Sequence, residues 1–189
     1  FKPLKKERED DKKVFLMISR AIFDKGVAEY AKAAELAKEK YGDKVEFQFL
    51  GAVAEDKKDG FIKEDMDELV KNNIINYLGI TNDVPSIVKE ADCIVLPSYR
   101  EGISRVLLEA ASMEKVAIAT NVTGCKEIIE KNKTGFLVES QHNYNRNLSF
   151  IHKKPCDLEQ FTNGDGIYSC TGIYFFNSAL SILCYDLNS

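Results

Sequence analysis

Apolar and polar positions fall into two rhythms between residues 14 and 139. Short apolar runs recur at 14–18, at Val45, Phe47 and Phe49 before Gly51, and at 74–78 before Gly79. Others stand at 93–96 before Pro97, at 116–119, and at 135–138. Brief apolar or alternating runs bounded by Gly or Pro predict strands. Between them the apolar positions recur every three or four residues. Val27, Tyr30, Ala31, Ala34, Ala37 and Tyr41 predict a helix over 26–41, and Ile62, Met66, Leu69 and Val70 predict a second. Shorter helices are predicted over 84–91, with Pro85 in the first turn, over 104–113 and over 126–131.

Six strands with intervening helices predict parallel βαβ units and so a doubly wound, Rossmann-like α/β domain. Ligands of such sheets bind outside the carboxyl ends of the strands, where the strand order reverses. The loops that follow strands, at 19–26, 51–61, 79–84, 97–103 and 120–125, are therefore the candidate site.

Composition narrows the class. The chain has 189 residues, 44% hydrophobic and 30% charged, with a net charge of −4. That balance suits a globular domain and offers no basic surface for nucleic acid. Five cysteines, odd in number and without metal-ligand spacing, read as free thiols of a reducing compartment. Residues 5–13 are an unbroken charged run, which is not a signal peptide. Position 1 is Phe rather than Met, and the expectation is an internal fragment of a longer protein. Residues 140–189 hold only seven charged side chains, and 166–185 hold none. Polar residues inside that run, Thr171 and Asn177 among them, argue against a membrane span. The chain divides into a charged linker (1–13), a folded domain (14–139) and an atypical tail (140–189).

Chemistry concentrates in two loops. The stretch from Pro97 to Ala110 follows a strand and opens a helix, with Glu101 before the helix and Glu109 inside it. Gly102 lets the backbone approach a ligand, and the amides near Ile103 and Ser104 can receive a phosphate or a sugar oxygen. Ser104 can also cap the helix. Glu109 lies among Val106, Leu107, Leu108, Ala110 and Ala111, so its carboxylate is either partly buried or turned to a ligand such as a ribose diol. In the first loop, Arg20 and Lys25 are two cations suited to a diphosphate. Taken singly, each feature has a plainer reading as surface charge or tight turn.

Taken in order, they resemble the C-terminal domain of the group 1 (family 4) retaining glycosyltransferases of the GT-B fold. The resemblance runs through Ser19-Arg20, Lys25-Gly26, Phe49-Leu50-Gly51, Tyr77-Leu78-Gly79, Ala91-Asp92, the 97–110 stretch and Thr134-Gly135-Phe136-Leu137-Val138. Tyr99-Arg100-Glu101-Gly102 and Gly124-Cys125-Lys126-Glu127 resemble bacterial enzymes that extend lipid-linked surface oligosaccharides.

The resemblance implies roles. Arg20 and Lys25 hold the donor diphosphate. Glu101, Gly102, Ile103 and Ser104 meet the transferred sugar and the distal phosphate, with Glu101, Arg20 and Lys25 the catalytic set. Glu109 binds the ribose, and the loop at Leu78 and Gly79 frames the base. The donor is a UDP- or GDP-linked sugar, the acceptor a saccharide or lipid-linked oligosaccharide, and the outcome retention of anomeric configuration. No cofactor or metal is implied, and residues 14–139 hold no His or Asp cluster with ligand spacing. The location implied is cytoplasmic, peripheral at the inner membrane face. An N-terminal acceptor domain is expected beyond this chain, and turnover is expected to need it.

Departures from the family pattern are Ser19 for Gly, Ser104 for Gly or Pro, a 113–116 turn without Gly or Pro, and the tail. A truncated, non-catalytic nucleotide-binding module and an interaction protein remain alternatives. A nicotinamide-dependent dehydrogenase would carry a Gly-x-Gly-x-x-Gly loop after its first strand, which 19–26 lacks.

Overall fold

A computed structural model describes residues 1–7, 9–130 and 133–139. The expectations for 140–189 lie outside the described residues. Six strands form one parallel sheet: β1 (Lys13–Ile18), β2 (Val45–Leu50), β3 (Asn76–Gly79), β4 (Cys93–Leu96), β5 (Val116–Thr120) and β6 (Gly135–Val138). Their order is β3-β2-β1-β4-β5-β6. The chain winds outward from β1 to β3, then returns to the centre and winds the other way. The order therefore reverses between β1 and β4, where a doubly wound sheet opens its crevice.

Helices cover both faces: α1 (Val27–Tyr41), α2 (Lys63–Lys71), α3 (Val84–Glu90), α4 (Arg105–Ser112) and α5 (Thr123–Lys126). Alternation along β1 assigns the layers. Phe15 and Met17 pack with Val27, Tyr30 and Ala34 of α1 and Met66 of α2. Val14 and Leu16 pack on the other face with Val88 of α3 and Ala110 of α4. The first layer is aromatic: Phe15 stacks on Phe47 with centroids 4.9 Å apart, and Tyr30 meets Phe47 edge-on at 5.6 Å. Burying each such ring contributes about 1.5–3 kcal/mol. The Tyr30 hydroxyl lies 2.9 Å from the Phe15 carbonyl and 2.8 Å from that of Gln48, so its proton always has an acceptor.

Two elements differ from the sequence expectation by more than one residue at an end. Ile74 and Ile75 precede β3 instead of opening it, because both amides turn back to the Leu69 carbonyl and close α2. The helix expected over 126–131 begins three residues earlier, at Thr123, and Lys126 is its last residue. Gly124 and Cys125 are both buried in that turn, so a stretch that reads as loop is pressed into the interior.

Candidate functional site

The loops after β1 and β4 meet at the reversal point. Residues 19–26 leave β1 through a short 3-10 turn at Phe23–Lys25 and end at Gly26, whose φ is 75°. A Cβ at Gly26 would lie 2.2 Å from the Pro97 carbonyl oxygen, so only glycine lets the loops nest here. The loop after β2 braces the first loop from behind. Ala21 N–H donates to Ala52 O at 2.8 Å, Phe61 N–H to Ala21 O at 2.8 Å, and Phe23 N–H to Asp59 O at 2.9 Å.

Across the crevice, Lys25 Nζ donates to Glu101 Oε1 at 2.7 Å, with side chains 24% and 12% exposed. Two of the four expected charged contacts are thus joined, although 76 residues separate them. Arg20 is exposed and lines a neighbouring cleft of about 180 Å³ with Ser19, Gly51, Ile80 and Thr81. Leu78 is half-buried in the strand below that cleft, and Gly79 O accepts from Gly51 N–H at 2.7 Å. Glu109 is half-buried within α4, and its carboxylate has no partner among the described residues. The structure therefore sets Arg20 beside the carboxyl ends of β1–β3 and the Lys25–Glu101 pair between β1 and β4.

Helix α4 begins at the same place. Ser104 is its N-cap, buried, with Oγ accepting from Leu107 N–H at 3.3 Å. Ser104 N–H reaches the Gly124 carbonyl at 3.4 Å, so that amide already has an acceptor within the fold. Gly102 is exposed, and Ile103 is 72% exposed, projecting an apolar side chain from the loop. A Cβ at Gly124 would lie 1.2 Å from the Gly102 carbonyl oxygen, so α5 packs directly under the Glu101–Gly102 loop. Cys125 follows, and burial pushes its thiol up to about 12, with the nearby Glu101 carboxylate adding to the rise. Cys93 and Cys125 are both buried. Ser98, fully buried at the end of β4, has a side-chain hydroxyl without a hydrogen-bond partner among the described residues.

Sequence reasoning missed two residues. Tyr99 donates its hydroxyl to Glu29 Oε1 at 2.6 Å, and its amide donates to Asp24 O at 2.9 Å. Glu29 stands in the first turn of α1, and burial raises its carboxyl above the ordinary value. Tyr99 stands inside the 97–110 motif, which was its only signal. Nothing local marks Glu29. Among the described residues, no group of three or more His, Cys, Asp or Glu side chains is gathered as for a metal ion. No helix among them is long and apolar enough to cross a membrane.

Comparison with known proteins bears on this arrangement. The model of the family "Glycosyl transferases group 1" matches residues 2–163. The N,N'-diacetylbacillosaminyl-diphospho-undecaprenol alpha-1,3-N-acetylgalactosaminyltransferase of Campylobacter jejuni is 30% identical over 133 residues, covering 70% of this chain and 33% of that protein. Pneumococcal O-GlcNAc transferase GtfA, solved with UDP and GlcNAc, superposes with a TM-score of 0.70 at 17% identity, over 99% of this chain and 32% of its own. Anabaena HepE, solved with UDP and glucose, gives a TM-score of 0.57 at 25% identity, over 68% of this chain and 35% of its own. The chain spans about a third of the length of the curated relatives it matches. A family match that runs through both loops of the crevice, on a Rossmann-like sheet shared with GT-B enzymes, makes this chain a member of the group 1 glycosyl transferases.

Proposed function

We propose that this chain is the donor-binding, C-terminal domain of a retaining glycosyltransferase, and that its crevice takes a nucleoside-diphosphate sugar. The observation that carries this is the Lys25–Glu101 contact, a cation and a carboxylate held together by two loops at the reversal point of the sheet. In the proposed complex the base lies in the cleft by Leu78, Gly79 and Ile80, and the diphosphate runs along Arg20 and Lys25. The sugar meets Glu101 and the backbone of Gly102 and Ile103, at the turn that Ser104 caps, and the ribose hydroxyls meet Glu109, whose carboxylate is free to accept them.

The reaction breaks the bond between the anomeric carbon and the diphosphate. Negative charge grows on the leaving phosphate while the sugar becomes cationic. Fixed cations aimed at the diphosphate favour that charge distribution, and Arg adds a bidentate grip. Glu101 accepts from sugar hydroxyls on the other side. The proposed chemistry needs no metal or cofactor.

The Campylobacter relative is named for an acceptor on diphospho-undecaprenol. A lipid-linked saccharide is accordingly the proposed acceptor class, held by an N-terminal domain at the cytoplasmic membrane face. HepE was solved with UDP and glucose, which makes UDP the first nucleotide to try, with GDP second. Calorimetry on the purified chain tests the reading. UDP or GDP binds, and Arg20→Ala and Lys25→Ala each weaken that binding about tenfold or more. Unchanged affinity in both variants removes the donor-site assignment.

A further inference from the structure

Lys25 and Glu101 come from different βα units, yet the proposed donor must meet both. Their mutual contact cannot be what keeps the loops in register once a ligand is bound. A diphosphate competes for the Lys25 ammonium, and sugar hydroxyls compete for the Glu101 carboxylate. The register must then come from groups that stay bonded when the ligand arrives.

Tyr99 meets that requirement. Its backbone N–H donates to Asp24 O, immediately before Lys25, at 2.9 Å. Its hydroxyl donates to Glu29 Oε1 at 2.6 Å, in the first turn of the helix that Lys25 leads into. It stands two residues before Glu101. One residue thus ties the Glu101 loop to the Lys25 loop at two points, one through its backbone and one through its side chain, and neither point uses a group assigned to the ligand. The Glu29 bond joins residues 70 apart. A carboxylate taken out of water is costly unless it is well bonded, and here the short bond from Tyr99 offsets part of the burial that raises the Glu29 carboxyl.

We propose that Tyr99 and Glu29 are a positioning pair that holds the loops of Lys25 and Glu101 in register for the donor. This rests on the donor-site reading above. Neither residue touches the ligand, so neither is catalytic. The pair works through a hydrogen bond, which separates it from simple packing. Tyr99→Phe removes the donor, Glu29→Leu removes the acceptor, and Glu29→Gln keeps an acceptor oxygen.

The test measures UDP affinity by calorimetry on the full chain, with melting temperature alongside and Tyr30→Phe as a core control. Tyr99→Phe and Glu29→Leu are each expected to raise Kd about tenfold. The double variant is expected to be no weaker than either single one. Glu29→Gln should stay within about twofold of the parent. Tyr30→Phe should lower the melting temperature without changing Kd. Amide exchange over 98–103 should speed up in Tyr99→Phe even without nucleotide. An unchanged Kd in Tyr99→Phe, while Lys25→Ala loses UDP, overturns the positioning role and leaves the donor site standing. If Arg20→Ala and Lys25→Ala both bind UDP as the parent does, the donor site falls, and unchanged exchange over 98–103 in Tyr99→Phe then removes the loop coupling as well.

Discussion

The two ends of the sheet both carry charged clefts, yet they are built differently. At the amino end, a cleft of about 230 Å³ is lined by Lys12, Lys38, Asp43, Glu46, Asn73 and Asn76. Lys12, Lys38 and Glu46 are met by neighbours. Lys12 reaches Glu46 at 3.4 Å, Gln48 and Asn76 donate to Glu46 at 2.7 and 3.1 Å, and Lys38 holds both the side chain and the carbonyl of Asn73. At the carboxyl end the cleft is smaller, but loops from different units are pressed together. Four of the five glycines whose Cβ would come within 3 Å of another backbone stand there: Gly26, Gly51, Gly60 and Gly124. The fifth, Gly135, opens β6 against Ala117. Size and charge alone would favour the amino end. Close backbone nesting and a cross-loop ion pair single out the other.

The sharpest way to break this comparison is to crowd the nested loops. Gly124→Ala forces a Cβ to within 1.2 Å of Gly102 O, so the Glu101 loop must move. Nucleotide affinity should fall by about a hundredfold or more. The counterpart away from the crevice is Gly42, at the end of α1, where a Cβ meets nothing within 4 Å but φ is 59°. Gly42→Ala should cost about 2 kcal/mol of stability through backbone strain and leave affinity intact. Denaturation paired with calorimetry separates the two outcomes, and similar affinity losses in both would erase the distinction between the ends.

Charge removal probes the same contrast with a smaller effect. Lys12→Ala and Lys38→Ala should not alter UDP affinity, whereas Arg20→Ala and Lys25→Ala should weaken it about tenfold. A loss at Lys38 equal to that at Lys25 would move the site to the amino end.

How much of this was legible in the sequence depended on distance along the chain. Strands β4 and β6 were bounded to the residue, because Pro97 stops one apolar run and Gly135 starts the other. The beginning of β3 was misread because Ile74 and Ile75 pack their side chains into the core from outside the strand, while their amides close α2 through the Leu69 carbonyl. The start of α5 was hidden because Thr123-Gly124 reads as loop unless the close approach to Gly102 is known. Lys25 and Glu101 were identified separately, by residue type and position after strands. Their contact, and the Tyr99–Glu29 bond, depend on sheet order, which no local pattern encodes.

Two weaker tests address the interior on either side of the crevice. Tyr30→Phe should cost about 1 kcal/mol, since a buried hydroxyl bonded to two carbonyls is lost from the β1–β2 layer. Cys125 should resist alkylation in the native protein at pH 8, and mass mapping can follow it apart from the other cysteines. Its thiol is pushed from 9.0 to about 12 in the fold, so above pH 9 the unfolded chain releases a proton that the folded chain keeps. Stability should therefore decline between pH 9 and 12, and Cys125→Ala should lose that part of the decline.

The most direct test of the donor site is hydrogen exchange with and without saturating UDP or GDP. Protection is expected at 19–26, at 79–81 and at 98–104, with the amino-end segments 43–46 and 70–76 unchanged. Protection confined to those amino-end segments, or absent from both ends, would contradict the placement of the donor between β1 and β4.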